Sequence, residues 1–265
     1  MNHNLLRVSS DFKQAGISNS NSDFYQCYNN CHAIERVTKV VMKSCDIPNV
    51  FYNINDKGYN FQNTGNNQWL FTNNANEQKT IIIPVGQYTL AELINFMNAA
   101  LTNVNGTGGA VQVQQNPTTK KLEYITNVPG YKFSQDQCTI LKYLGFSSPS
   151  VWQYNATLAA QSFVNLSGIS EVYVTSQKLA DSSNMIVAES TVYPVILNVQ
   201  MNVPFGEIEH YNTNHFEIDD IIYPSSEGTT IRQLDIQLRD RFGNILDIGE
   251  LPFNLIIKIY HGELS

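Results

Sequence analysis

QLDIQLRDRFGNILDIGELPFNLIIKIY, residues 233–260, alternates apolar and polar side chains over two runs separated by a turn signal. In the first run Leu234, Ile236 and Leu238 alternate with Asp235, Gln237 and Arg239; in the second, Leu251, Phe253, Leu255, Ile257 and Ile259 repeat the period. A period of two gives an extended chain one apolar and one polar face, the signature of a strand buried on a single side. RFGN, between the runs, turns at Gly243 and Asn244. Upstream, the odd positions Tyr193, Val195, Leu197, Val199, Met201 and Val203 are all apolar, which predicts another long strand over 193–203. Long strands joined by irregular loops, without the helices a parallel sheet needs between its strands, favour an antiparallel sandwich with crossing connections, a jelly roll or Greek key.

Outward from that stretch the pattern changes. ERVTKVVMKSC at 35–45 is a valine-rich strand stopped by Pro48 and Asn49, and QWLFT at 68–72 is a short apolar burst after a loop rich in Asn and Gly. KTIIIPVGQY reads as a buried strand closed by Pro84 and Gly86. From 89 to about 103, Leu90, Leu93, Ile94, Met97 and Leu101 fall on one helical face, and Thr89 with Glu92 spells a capping box. VQVQQ and KLEYIT flank NPTTK as a hairpin, and CTILKYLGF at 138–146 reads as a second short helix ended by Gly145. The helix face is expected to cover the hairpin through Val111, Val113, Leu122 and Tyr124. Residues 1–32, rich in Ser and Asn and without a period, read as an N-terminal arm.

The expected architecture is therefore mainly β. A single jelly-roll β-sandwich is formed by residues 33–78 and 149–265, with a small α+β insertion of β-α-β-β-α order at 79–148. Tyr193, Leu197, Leu234, Ile236, Phe253, Leu255 and Ile257 are the expected core of the sandwich.

Composition narrows the function. Of the 265 residues 42% are hydrophobic, enough for a core without staples, and only 15% are charged, while Asn alone supplies 31. Solubility rests on neutral amides, which disfavours a coiled coil or a long disordered tail. A net charge of −7 and the absence of a basic arm argue against direct nucleic-acid binding, whose affinity comes mainly from Lys and Arg at phosphates. No apolar run reaches the length of a membrane span, and MNHNLLRVSSDFK lacks the shape of a signal peptide, so the expected chain is soluble and made in the cytosol. There Cys27, Cys31, Cys45 and Cys138 are expected as free thiols.

Catalytic chemistry finds little support. His210 and His215 lie close together beside Glu207, Glu209, Glu217, Asp219 and Asp220, residue types that hold divalent metals. HYNTNH has four residues between its histidines, however, where a cupin-type oxygenase needs one, and a polar loop between strands is the simpler reading. Cys27 and Cys31 have three residues between them and no second ligand pair downstream. No GxSxG, HExxH or GxxxxGK[ST] is present, and GTGG at 106–109 leaves a helix instead of opening one. NGT, NAT and NLS match a glycosylation pattern by chance in so Asn-rich a chain. The expectation is no enzyme, no catalytic, cofactor-binding or metal-binding residue, and no metal or organic cofactor.

DIPNVFYNI at 46–54, IIIPVGQYTLAELINFMNAAL at 81–101, YLGF at 143–146 and IRQLDIQLRDRFGNILDIGELPFNLIIKIY at 231–260, in this order and spacing, resemble the minor capsid, or penton, proteins of virophages and related Polinton-like elements. The resemblance implies a single jelly roll standing at the fivefold vertices of an icosahedral double-stranded DNA virus or virophage. Its implied partners are four further copies, making a homopentamer, and a trimeric double-jelly-roll major capsid protein; its implied location is the virion, after synthesis in the host cytoplasm. A carbohydrate- or receptor-binding jelly roll of the fibre-head kind shares the fold and the lack of catalytic motifs, and is the alternative.

Overall fold

The computed structural model describes residues 3–9, 23–27, 33–56, 65–105, 111–126, 128, 130–134, 139–147, 151–154, 157–179, 185–188, 191–212, 221–223 and 228–262. In chain order the elements are β1 (His3–Ser9), β2 (Asp23–Cys27), β3 (Ile34–Pro48), β4 (Gln68–Thr72), β5 (Gln78–Ile82) and α1 (Leu90–Asn105). They continue with β6 (Val111–Gln115), β7 (Leu122–Thr126), β8 (Tyr131–Ser134), β9 (Val151–Tyr154), β10 (Thr157–Ala159), β11 (Glu171–Thr175) and β12 (Met185–Ala188). The last are β13 (Thr191–Gln200), β14 (Ile208–Asn212), β15 (Ile221–Ile222), β16 (Thr229–Ile231), β17 (Gln233–Arg239) and β18 (Asn254–His261). They form two compact units, Met1–Phe51 with Ile169–Ser265, and Tyr52–Gly168.

The first unit is the jelly-roll sandwich. One sheet runs β1-β18-β3-β14, with β15 and β16 pairing further along the same β3, and the other runs β12-β13-β11-β17-β2; neighbours distant in sequence are the crossing connections of this fold. The alternation does the work expected of it: Leu234, Ile236 and Leu238 on β17 and Leu255, Ile257 and Ile259 on β18 are buried, with Phe253 just ahead of them. Met42, Cys45 and Ile47 on β3 and Val172 and Val174 on β11 are buried with them. Asp240 closes the RFGN turn by accepting hydrogen bonds from the backbone N–H of Phe242 (2.8 Å) and Asn244 (2.9 Å), and Gly243 takes a positive φ of 83°.

Three expectations change in this unit. Residues 1–32 are not simply an arm: β1 pairs with β18 over His3–Ser9, and β2 pairs with β17 over Asp23–Cys27. Each covers an edge that long strands would otherwise leave with unpaired backbone groups. The strict alternation over 193–203 breaks, because the pairing of β11 with β13 shifts between Leu197 and Val195, so that Ile196 and Leu197 are both buried and the strand ends at Gln200. Tyr193 leaves the expected core, and Leu251 leaves the alternating apolar face. Tyr193 is half-buried beneath the Arg239 guanidinium, 3.9 Å from its ring centre, and Leu251 precedes β18 and is 43% exposed.

The second unit is wider than the expected insertion at 79–148. QWLFT, assigned above to the jelly roll, is β4, which pairs with β5 and β8, and Trp69 and Phe71 fill this unit's own core. The unit holds a β5-β4-β8-β9 sheet, a β10-β7-β6 sheet and α1. Capping is as the spacing predicts: Thr89 N–H and its hydroxyl both donate to Glu92 Oε2 at 2.8 Å, and Glu92 N–H donates back to Thr89 Oγ1 at 3.3 Å. Leu93, Met97 and Leu101 are buried in one cluster with Val111, Val113, Leu122 and Tyr124, so the helix does cover the hairpin.

The expected second helix is absent. Residues 139–145 make a single turn, in which Leu144 N–H reaches Ile140 O at 3.2 Å before Phe146 N–H donates to Leu141 O (2.9 Å) and Gly145 N–H to Lys142 O (3.2 Å). These two bonds are the Schellman pattern, which stops the helix one turn after it starts.

Asn98 on α1 also fastens the helix to the edge strand β6, since its Nδ2 donates to Val113 O (2.9 Å) and its Oδ1 accepts from Val113 N–H (2.8 Å). The side-chain amide thus stands in for a neighbouring strand. Asn98→Ala is expected to cost about 1–3 kcal/mol by stranding these groups. Thermal unfolding and amide exchange at Val113 check this, and unchanged protection of that amide counts against it.

Candidate functional site

Where histidines and carboxylates lie close in sequence, the described residues make separate contacts that tie strands and loops together. His210, on the edge strand β14, pairs across to β3, with Nδ1 2.9 Å from Asp46 Oδ1 on the exposed surface. Glu209 Oε2 accepts from Asn202 N–H at 2.7 Å, while Glu207 O accepts from Asn49 N–H at 2.8 Å, so both hold the 201–208 loop in place. His215, Glu217, Asp219 and Asp220 lie outside the described residues. Among the described residues no three His, Cys, Asp or Glu side chains converge as a metal site. Cys45 is a buried thiol whose ionisation is pushed well above the ordinary range, first by desolvation and then by the nearby Asp46 charge, so it makes a poor nucleophile. The Cys27 side chain, Cys31 and Cys138 are outside the described residues.

The chemistry that remains is on the outer faces of the two sheets. On the five-stranded sheet, polar groups satisfy one another. Asp235 accepts from Ser176 Oγ (2.7 Å) and from the backbone N–H of Gln177 (3.0 Å) and Lys178 (2.9 Å), and the Arg239 guanidinium donates to Gln237 Oε1 and Gly243 O while lying on Tyr193. Tyr173 OH donates to Glu171 Oε2 at 2.7 Å; this bond above all holds the Glu171 carboxyl below its ordinary range. Desolvation, then the same bond and the Glu171 charge, push the Tyr173 phenol up to about 12.

That shift has a definite sign. A folded-state value above the unfolded one stabilises fully below the unfolded phenol value and is lost as pH rises through the folded value of about 12. An alkaline difference titration of the parent against Tyr173→Phe is expected to isolate one late-ionising tyrosinate. If the difference appears near pH 10, the Glu171 bond is not acting as described.

The outer face of the six-stranded sheet has another character. Cross-strand partners share a face, so Leu5 stands beside Lys258, Arg7 beside Ile256, and Lys39 beside Tyr260. Lys258 and Lys39 lie over the Tyr260 ring at 4.8 and 5.4 Å, and Arg7 donates to Asn254 Oδ1 at 2.9 Å. Leu5 is 68% exposed and Ile256 36%. Further along the same rows Asp46 stands opposite Asn254 and pairs with His210. A cationic face with exposed aliphatic side chains, on a chain of net charge −7, suits docking better than chemistry. No site residue on this face was read from the sequence. IKIY shows that Lys258 and Tyr260 share a side, but Arg7 and Lys39 join them only through the register.

No family model and no curated protein matches the chain. Among solved structures it is similar to one of the Sputnik virophage determined by electron cryomicroscopy, at 12% identity and a TM-score of 0.46, over 97% of each chain. It is also similar to the crystal structure of the mavirus penton protein, at 9% identity and a TM-score of 0.52, over 98% of this chain and 99% of that one. The mainly β chain thus shares its fold with the mavirus penton protein over nearly its whole length.

Proposed function

We propose that this chain is a structural virion protein, a penton or minor capsid protein at the fivefold vertices of an icosahedral double-stranded DNA virus or virophage. The observation that carries this reading is the fold shared with the mavirus penton protein across both units, found in a chain whose motifs resemble virophage pentons in order and spacing. Its work is surface complementarity and not catalysis, in keeping with histidines and carboxylates that brace strands and loops. Its partners are copies of itself, closing a pentamer, and the surrounding trimers of a double-jelly-roll major capsid protein; its location is the capsid. Association about a fivefold axis is heterologous, so two different surfaces of each copy must match.

Electron cryomicroscopy of particles containing the chain tests this, with density for five copies expected at each vertex. A map with the chain elsewhere, or a stable trimer that binds glycan without a capsid partner, overturns the reading; the latter result describes a fibre head.

A further inference from the structure

The loop between β17 and β18 is built to present a surface. Leu246, Ile248 and Phe253 are buried and anchor it, and Leu246 N–H donates to Leu238 O at 2.9 Å. Gly249 N–H donates to Asp247 Oδ1 at 2.8 Å, tightening the bend at the tip. Held in this way, the loop turns Ile245 (40% exposed), Leu251 (43% exposed), Asp247 and Glu250 toward solvent. An anchored loop loses little conformational freedom when it docks, which makes exposed aliphatic groups on it effective contacts.

Its chemistry is the counterpart of the outer face of the six-stranded sheet. The face offers Arg7, Lys39 and Lys258 around Leu5 and Ile256; the loop offers Asp247 and Glu250 around Ile245 and Leu251. Resting on the reading of the chain as an assembling capsid protein, we propose that the outer face of β1, β18 and β3 is an intersubunit contact whose occupant is the 245–251 loop of a second copy. Charge complementarity selects this occupant. Copies of net charge −7 repel one another as wholes, so a local cationic surface opposite a local anionic one favours their encounter and fixes its register. Because the two surfaces differ, each copy both gives and receives, and the contact passes from copy to copy until the rotation closes it.

Reciprocal charge reversal tests the pairing in the full chain. One variant carries Arg7→Glu and Lys258→Glu, a second carries Asp247→Lys and Glu250→Lys, and a third carries all four. All four sites are on the surface, and unchanged melting temperatures verify that each variant folds. In sedimentation velocity over a concentration series at low salt, each double variant is expected to weaken self-association by about tenfold or more, and the fourfold variant to return to within about threefold of the parent. In a mixture of nitrogen-14 and nitrogen-15 labelled parent chains, a zero-length carbodiimide cross-linker is expected to join Lys258 or Lys39 of one copy to Asp247 or Glu250 of another.

A fourfold variant no better than the weaker double variant, or intermolecular links that avoid these pairs, overturns the proposal. So does a face that retains a double-stranded DNA fragment, losing it on Arg7→Glu and Lys258→Glu while self-association is untouched; that result assigns the face to nucleic acid. A particle map with the chain away from the vertices sinks the vertex reading while leaving a rescued, cross-linked contact standing. A vertex protein without rescue sinks only the contact.

Discussion

Trp69→Ala is expected to destabilise the Tyr52–Gly168 unit by about 3–5 kcal/mol, the range for deleting a large aromatic from a core. Trp69 has no exposed surface, and its ring lies 5.6 Å from Tyr124, 5.8 Å from Phe71 and 6.2 Å from Phe133. These neighbours come from β7, β4 and β8, so one indole ties together strands of both sheets of the unit. A void there cannot close without moving all of them. Trp69→Phe is expected to cost less than its lost area suggests, because among the described residues the buried indole N–H has no acceptor and its removal lifts a desolvation cost. Denaturant titration followed by circular dichroism measures both variants. A loss under about 1 kcal/mol for Trp69→Ala, or a Phe variant as damaged as the Ala variant, counts against this account.

Gly145→Ala is expected to cost about 2–6 kcal/mol, combining left-handed strain with an overpacked contact. Gly145 has a φ of +87°, and a methyl group there would meet Ser162 O at 2.2 Å and Ser162 C at 2.8 Å. Both are backbone atoms, and the segment cannot easily withdraw: Ser162 N–H donates to Gly145 O at 2.9 Å and Asn165 N–H to Tyr143 O at 2.7 Å. Gly249→Ala is the control, since φ is +62° but nothing lies within 4 Å of the added carbon. It should carry the strain alone, about 1–2 kcal/mol. Equal melting temperatures for the two variants would show that the clash at Gly145 relaxes and that the 162–165 segment is not held against the turn at 143–145 as the hydrogen bonds imply.

What the sequence determined by itself was local. The period-two runs 234–238 and 253–259 bury the residues they nominate, because burial on one side of a strand is written in consecutive positions. The capping box at Thr89 and Glu92, the helix after it and the 111–126 hairpin were legible for the same reason, each depending on residues within one or two turns of chain. Tertiary structure decided whatever depended on distant partners. Residues 3–9 become a strand only because β18, some 250 positions away, offers them an edge, and β4 belongs with Trp69's aromatic neighbours and not with the jelly roll. Ile196 and Leu197 turn inward together because β11 imposes a bulge that no alternation announces. The candidate docking face lay beyond the sequence for the same reason: Arg7, Lys39 and Lys258 are unremarkable in their own segments, and only the pairing of β1, β18 and β3 sets them side by side as one cationic surface.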